Sequence, residues 1–209
     1  MPARNVVKPF MPKGYYHVYN RGVAKQDIFL DKQDYLYFLN SITKILSSDF
    51  TDQDNLHLEI RLLSFILMPN HFHILLQQKQ MGSMTKFMRK LSTGYSMYFN
   101  QKYKRVGHVF QGIYKASIIE NDEYLIHLSR YIDMNCLDLK GVGIDNLKDY
   151  DFSSYSSYVG KKRYSWLRVE QILSMFSDDM DKAKQLYKEF IEDYVVEGIL
   201  PINKYVFDE

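Results

Sequence analysis

The sequence predicts an α+β fold, a central antiparallel sheet with helices packed on one face. Three observations lead there. Strand-like and helix-like patterns alternate in the order β-α-β-β-α-β-α up to Asn135. The two middle strand patterns are separated only by Pro69-Asn70, a tight link that suits antiparallel neighbours. With 46% hydrophobic and 15% aromatic residues, the 209-residue chain can bury a full core, which excludes global disorder.

Residues 1–13 hold three of the five prolines and read as an extended arm. Residues 15–21 are aromatic and β-branched and stop at Gly22, a strand pattern. Asp31 is placed to cap a helix whose apolar stripe is Tyr35, Phe38, Leu39, Ile42 and Leu46. After a polar connection at residues 52–55, Leu56, Leu58, Ile60 and Leu62 alternate with polar residues and run into the apolar segment 63–68, predicting a strand. Residues 71–77 predict its hairpin partner. Gly82-Ser83 opens a long helix along Met84, Phe87, Met88, Leu91, Tyr95, Tyr98 and Phe99. Residues 109–119 read as a strand with a bulge at Gly112. Asn121 caps a further helix, with Asp122 and Glu123 in its first turn. Past Gly141 and Gly143 the composition turns acidic, and helical patterns recur at residues 169–176 and 183–194. The chain therefore divides into a main domain, residues 1–143, and a helical C-terminal extension, residues 144–209.

The net charge of +2 hides a segregation. Residues 60–119 contain nine basic side chains and no Asp or Glu, whereas residues 120–209 contain 11 basic and 18 acidic ones. That asymmetry points to a polyanion partner or, more simply, to a solvated basic face. The lone Cys136 excludes an intramolecular disulfide and any multi-cysteine zinc site. No apolar run is long enough to span a membrane and the first 12 residues lack a signal core, so a cytoplasmic protein without membrane contact is expected.

Three groups of residues carry chemistry. On a strand, His71 and His73 project to one face, about 7 Å apart along the chain, and can converge on one metal ion. Two hydrogen-bonded histidines at a sheet edge would show the same spacing. His127, Tyr131 and Asn135 follow at i, i+4 and i+8 on a helix. A tyrosine so placed is either ordinary packing or a covalent nucleophile, and Asn135 offers a neutral oxygen. Lys86, Arg89, Lys90, Lys102, Lys104 and Arg105 are interleaved with aromatic residues, of which Tyr103, Phe110 and Tyr114 are the least explained by packing. Cations that follow phosphates and rings that stack on bases suit single-stranded nucleic acid.

The string MPNHFHILL at residues 68–76 resembles the His-hydrophobic-His signature of the single-tyrosine HUH transposases of insertion-sequence type. The stretches YFNQKY at 98–103, GHVFQGIYKA at 107–116, DEYL at 122–125 and RYIDMN at 130–135 are similar to the blocks that follow it, and HVYNRG at 17–22 to one that precedes it. FSSYSSY at 152–158 with Trp166-Leu167 resembles the tail of the REP-associated tyrosine transposases.

The resemblance implies an HUH endonuclease palm, a ferredoxin-like antiparallel sheet flanked by helices. It implies that His71, His73 and Asn135 hold a divalent metal, Mg2+ or Mn2+, and that Tyr131 is the nucleophile. The reaction implied is cleavage and strand transfer of single-stranded DNA at hairpin-forming ends, through a 5′-phosphotyrosine. The basic residues above, with Arg21, His108, Tyr114 and Lys115, become the expected DNA contacts. The chain departs from the pattern at Cys136, where members often carry Pro, and at Ile113, where they often carry Arg. Those departures and the long tail motivate an alternative, a domesticated protein that binds DNA hairpins without turnover. A phosphohydrolase using the histidine pair and water is a third reading. Family members act as monomers or homodimers.

Overall fold

The computed structural model describes residues 11–48 and 55–197, with side chains to residue 193. Most of the expected arm and of the connection at residues 52–55 lies outside the described residues. Strand β1 is Tyr15–Arg21 and helix α1 is Lys32–Ile45. A single helical turn, α2, Leu56–Glu59, precedes strands β2, Ile60–Met68, and β3, His71–Gln78. Helix α3 is Ser83–Lys102, strand β4 is Lys115–Ile119, and helix α4 is Asp122–Met134. The tail adds α5, Tyr155–Tyr158, α6, Glu170–Leu173, and α7, Met180–Glu197. The strands form one sheet in the order β2-β3-β1-β4, and every pairing is antiparallel. This is the α+β arrangement of the split β-α-β motif, the ferredoxin-like palm.

Capping follows the sequence. The Asp31 carboxylate accepts the N–H groups of Gln33 and Asp34, and the Asn121 side chain accepts that of Tyr124 at 2.8 Å. The Asn121 cap contributes about 1 kcal/mol. Gly82 enters α3 at φ 91°, a backbone setting that glycine adopts without strain.

Helices cover both faces of the sheet, not one as the pattern predicts. Phe72, Ile74 and Leu76 of β3 pack with Tyr16, Val18 and Phe65 under α1 and α3. Leu63, Ile66 and Leu75 pack on the other face beneath Leu125, Leu128 and Ile132 of α4. The reason is visible in β2 and β3, which are apolar on both sides, so a second cover is required. A register shift between Leu62 and Ser64 switches which β2 residues face which layer.

Two strand expectations shorten. Residues 56–59 form a helical turn, in which Leu56 is buried and Leu58 exposed. Residues 109–114 are loop, held to the end of β1 by the Gln111 N–H to the Arg21 carbonyl and by Asn20 Nδ2 to the Gly112 carbonyl. Phe110 and Tyr114 dip from that loop into the α1/α3 layer.

The tail packs on the main fold. Leu147, Tyr155, Tyr158, Ile172, Ala183, Tyr187 and Ile191 join the α4 layer. Its backbone also pairs with the outer edge of β2, through Leu67 N–H to Phe152 O, Ser154 N–H to Phe65 O, and Arg168 N–H to Leu62 O. That edge strand is thereby covered. Among the described residues no helix is long and apolar enough to cross a membrane.

Candidate active site

The face of the sheet under α4 changes character toward the end of β1. In the β1–β3 ladder Arg21 stands opposite His71, Tyr19 opposite His73 and His17 opposite Leu75. Paired residues project to one face, so His17, Tyr19, Arg21, His71 and His73 share it. Lys115 extends the row from β4, opposite Tyr19, with Nζ 5.5 Å from that ring. Phe72, between the two histidines, is fully buried on the opposite face.

Helix α4 crosses above this row. The Tyr131 ring meets His73 edge-on at 5.6 Å between centroids and His17 at 6.3 Å. Asn135, one turn on, ends α4 and opens a short 3-10 segment. Its Oδ1 lies 3.2 Å from His71 Nε2. Tyr131, His71, His73 and Asn135 therefore converge within one chain. His127, on the same helix, points elsewhere. It contacts Arg130 and packs against Phe190 of α7.

Hydrogen bonds define the imidazoles. Asn70 Nδ2 donates to the Lys25 carbonyl, leaving its Oδ1 to accept from His71 Nδ1 at 2.6 Å. His71 Nε2 then carries the lone pair and faces another acceptor, the Asn135 oxygen. Two lone pairs at 3.2 Å suit a shared cation better than each other. His73 Nδ1 pairs with His17 Nε2 at 2.8 Å. Burial holds His73 well below the ordinary histidine range, with His17 and His71 adding to the shift, and pushes His17 down to about 3. Burial also lowers His71, aided by the Arg21 charge. Neutral imidazoles are the form that binds metals. Among the described residues no three His, Cys, Asp or Glu side chains cluster for a metal. The donor set that fits a divalent ion is two imidazole nitrogens and one amide oxygen, with positions left for water or substrate.

Helix α4 is anchored from behind. Asp133, fully buried, accepts the Ser154 hydroxyl at 2.5 Å and the Tyr187 hydroxyl at 2.8 Å. Burial pushes its carboxyl up to about 7, against the pull of those hydroxyls. Arg130 donates to the Phe190 carbonyl and lies 4.0 Å over the Phe190 ring. Cys136 is buried, its thiol pushed up to about 12 by burial, so it packs as a small apolar residue. Ile113 is 84% exposed in the 109–114 loop.

The expected DNA contacts separate into groups. Arg21 and Lys115 lie on the face of His71 and His73. Lys86, Arg89 and Lys90 belong to α3, on the other layer, with Arg89 exposed. Lys104 and His108 are exposed in the loop after α3, and Arg105 reaches Gln26 and sits over Phe99. Lys102 is matched by carboxylates within the fold. Its ammonium binds Asp31 at 2.8 Å and Asp34 at 2.7 Å, joining α3 to α1. Tyr103, Phe110 and Tyr114 are explained by packing after all. Tyr103 donates to Asp34, while Phe110 and Tyr114 are buried and Tyr114 pairs with Thr85. His17 is the member that pattern reading passes over, because its partner lies 56 residues away.

A family model described as "Transposase IS200 like" matches residues 14–135, more than half of the chain. No curated protein matches in sequence. The solved structure of a REP-associated tyrosine transposase bound to a REP hairpin aligns with a TM-score of 0.56 at 14% identity, covering 78% of this chain and 95% of that one. A transposase structure from Deinococcus radiodurans R1 gives a TM-score of 0.37 at 15% identity, covering 61% and 94%. The tRNA(His) guanylyltransferase of Saccharomyces cerevisiae gives 0.39 at 11%, covering 92% and 81%; neither of these two carries an argument. The first supports the fold alone. With the family model spanning β1 through the end of α4, the chain belongs to the IS200-like transposase family.

Proposed function

We propose that this transposase cleaves and rejoins single-stranded DNA at hairpin-forming ends, with Tyr131 as nucleophile. The observation that supports it best is the convergence of the Tyr131 ring on His73 and of Asn135 on His71 within one chain. One subunit thus supplies every proposed catalytic group.

His71, His73 and Asn135 would hold Mg2+ or Mn2+. When bound, such an ion supplies Lewis-acid polarisation of the scissile phosphate. Arg21 and Lys115, on the same face, hold phosphate oxygens beside it. The Tyr131 oxygen attacks phosphorus in line, losing its phenolic proton. The phosphorus–O3′ bond breaks, the 3′ oxygen takes up a proton, and the 5′ phosphate stays on Tyr131. A second 3′-hydroxyl reverses the step and joins new ends. The hairpin substrate is supported by the REP hairpin held by the structurally similar transposase.

Incubation with hairpin-bearing single-stranded oligonucleotides and Mn2+, followed by a denaturing gel, tests this. A covalent protein–DNA adduct with a free 3′-hydroxyl fragment is expected, absent from Tyr131→Phe. An adduct that survives in Tyr131→Phe would sink the nucleophile assignment. Hairpin binding without cleavage under any divalent ion would favour the domesticated binder.

A further inference from the structure

We propose that His17 is a positioning residue, which accepts the Nδ1–H of His73 and so aims the His73 Nε2 lone pair at the metal. This rests on the reading that His71 and His73 share a divalent ion.

A neutral imidazole has one lone pair for a metal, on the nitrogen without the proton. For His71 the choice is made by Asn70, whose Oδ1 accepts Nδ1–H at 2.6 Å. His73 has no carbonyl or carboxylate in that place. Its Nδ1 meets His17 Nε2 at 2.8 Å, the two rings nearly parallel at 21°. One proton serves this contact, and it has two positions. On His73 Nδ1 it leaves Nε2 bare for the ion. On His17 Nε2 it leaves His73 with an Nε2–H that cannot ligate. Ion binding therefore requires His17 to accept.

The setting supports that role. His17 is buried on β1, one pleat along from Tyr19, the ladder partner of His73. Its own Nδ1 has no hydrogen-bond partner among the described residues. In the ligating arrangement that nitrogen carries the His17 proton. Tyr19 and Tyr131 pack against its ring, but among the described residues its one side-chain hydrogen bond is the one to His73. Acceptors behind metal-bound histidines fix tautomer and ring orientation, and losing one weakens metal affinity by about 10–100-fold.

The test is Mn2+ titration of the DNA-free protein, read by the electron paramagnetic resonance of free Mn2+. Thermal unfolding in EDTA checks each variant's fold. His17→Phe keeps the ring and loses the acceptor, and should bind Mn2+ about 10–100-fold more weakly. His17→Gln restores an acceptor and should recover most of the loss. Unchanged affinity in His17→Phe overturns the proposal, as does a folded His17→Gln that binds no better than His17→Phe. Nitrogen-15 spectra of the Mg2+-loaded wild type give a check that needs no variant. His17 should carry its proton on Nδ1, and a proton on Nε2 overturns the assignment. If wild type and His71→Ala bind Mn2+ equally poorly, the metal reading itself fails, which is a separate result.

Discussion

The two faces of the sheet each bury a carboxylate, and the two carboxylates behave in opposite ways. Asp34, in the first turn of α1 facing α3, is fully buried, which by itself would raise its pKa. The Lys102 ammonium, the Tyr103 and Tyr98 hydroxyls and the Leu30 N–H outweigh burial and hold it below the ordinary range. Asp133, in the α4 layer, is equally buried but meets hydroxyls, and burial wins, pushing it up to about 7. On the first face the buried carboxylate is matched by a counter-charge, the Lys102 ammonium at 2.7 Å. The second is built around neutral polar groups, including the imidazoles of His17, His71 and His73. Neutral imidazoles suit the divalent ion proposed there, and the cations that share the face, Arg21 and Lys115, suit the proposed phosphate.

Strand β3 divides these tasks residue by residue, and two neighbouring substitutions should break them apart. His71→Ala should lower the cleavage rate by about 10³-fold or more, by removing a proposed ligand for an ion that would supply several kcal/mol to the transition state. It should change stability by only about 1 kcal/mol, because His71 is only partly buried. Phe72→Ala should do the reverse. It empties a site between Phe38 and Phe110 and should cost about 3–5 kcal/mol in denaturant unfolding. Variants that fold should keep their Mn2+ affinity. Comparable stability losses in the two variants would erase the division.

The same contrast explains what the sequence reveals. The structural layer is legible because its signals are local. Met84 to Phe99 repeat at helical spacing, and Asp31 and Asn121 sit where caps belong. The second cover is not legible from an element order, since periodicity does not say which face of a sheet a helix takes. The strand predicted over residues 109–119 is kept only at Lys115–Ile119, because Phe110 and Tyr114 are drawn into the core by contacts with distant residues. In the site, His71 and His73 are readable as a pair on one strand. Tyr131 reaches them through tertiary packing alone, so only its likeness to a known block singles it out. His17 acts through a ring nitrogen 56 positions away, and spacing carries no trace of that.

The link from the tail to α4 sharpens the comparison with a smaller effect. Tyr187→Phe removes one donor from the buried Asp133 and should cost about 1–2 kcal/mol by thermal or urea unfolding. Mn2+ affinity should be unchanged, because the Asp133 side chain is turned to α7 and Ser154. A parallel loss of metal affinity would make the tail part of the site.

Smaller again is the acid response of the structural layer. The Asp34 pKa is depressed in the folded state, so its contribution is fully present above the unfolded carboxylate value of about 3.9 and is lost as pH falls through the folded value. Stability should therefore drop more steeply below about pH 4 in the wild type than in Asp34→Asn, by urea midpoints across an acid series. Equal slopes would mean that Lys102 does not hold the charge as the 2.7 Å contact indicates.

The salt dependence of DNA binding should be the most modest readout, and it separates the faces once more. Five phosphate contacts on a single strand would give a log–log slope of roughly −3.5. Lys102 has its charge matched by Asp31 and Asp34 and should add nothing to that slope. Arg89 is exposed on the layer opposite His71 and His73, so Arg89→Ala should weaken binding and reduce the slope by about 0.7 without changing the cleavage rate of bound DNA. Arg21 and Lys115 share the face of His71 and His73, so their alanine variants should slow cleavage of bound DNA as well. If Arg89→Ala slows cleavage at saturation as much as Lys115→Ala does, both layers position the scissile phosphate, and the division between a structural and a reactive face does not extend to the substrate.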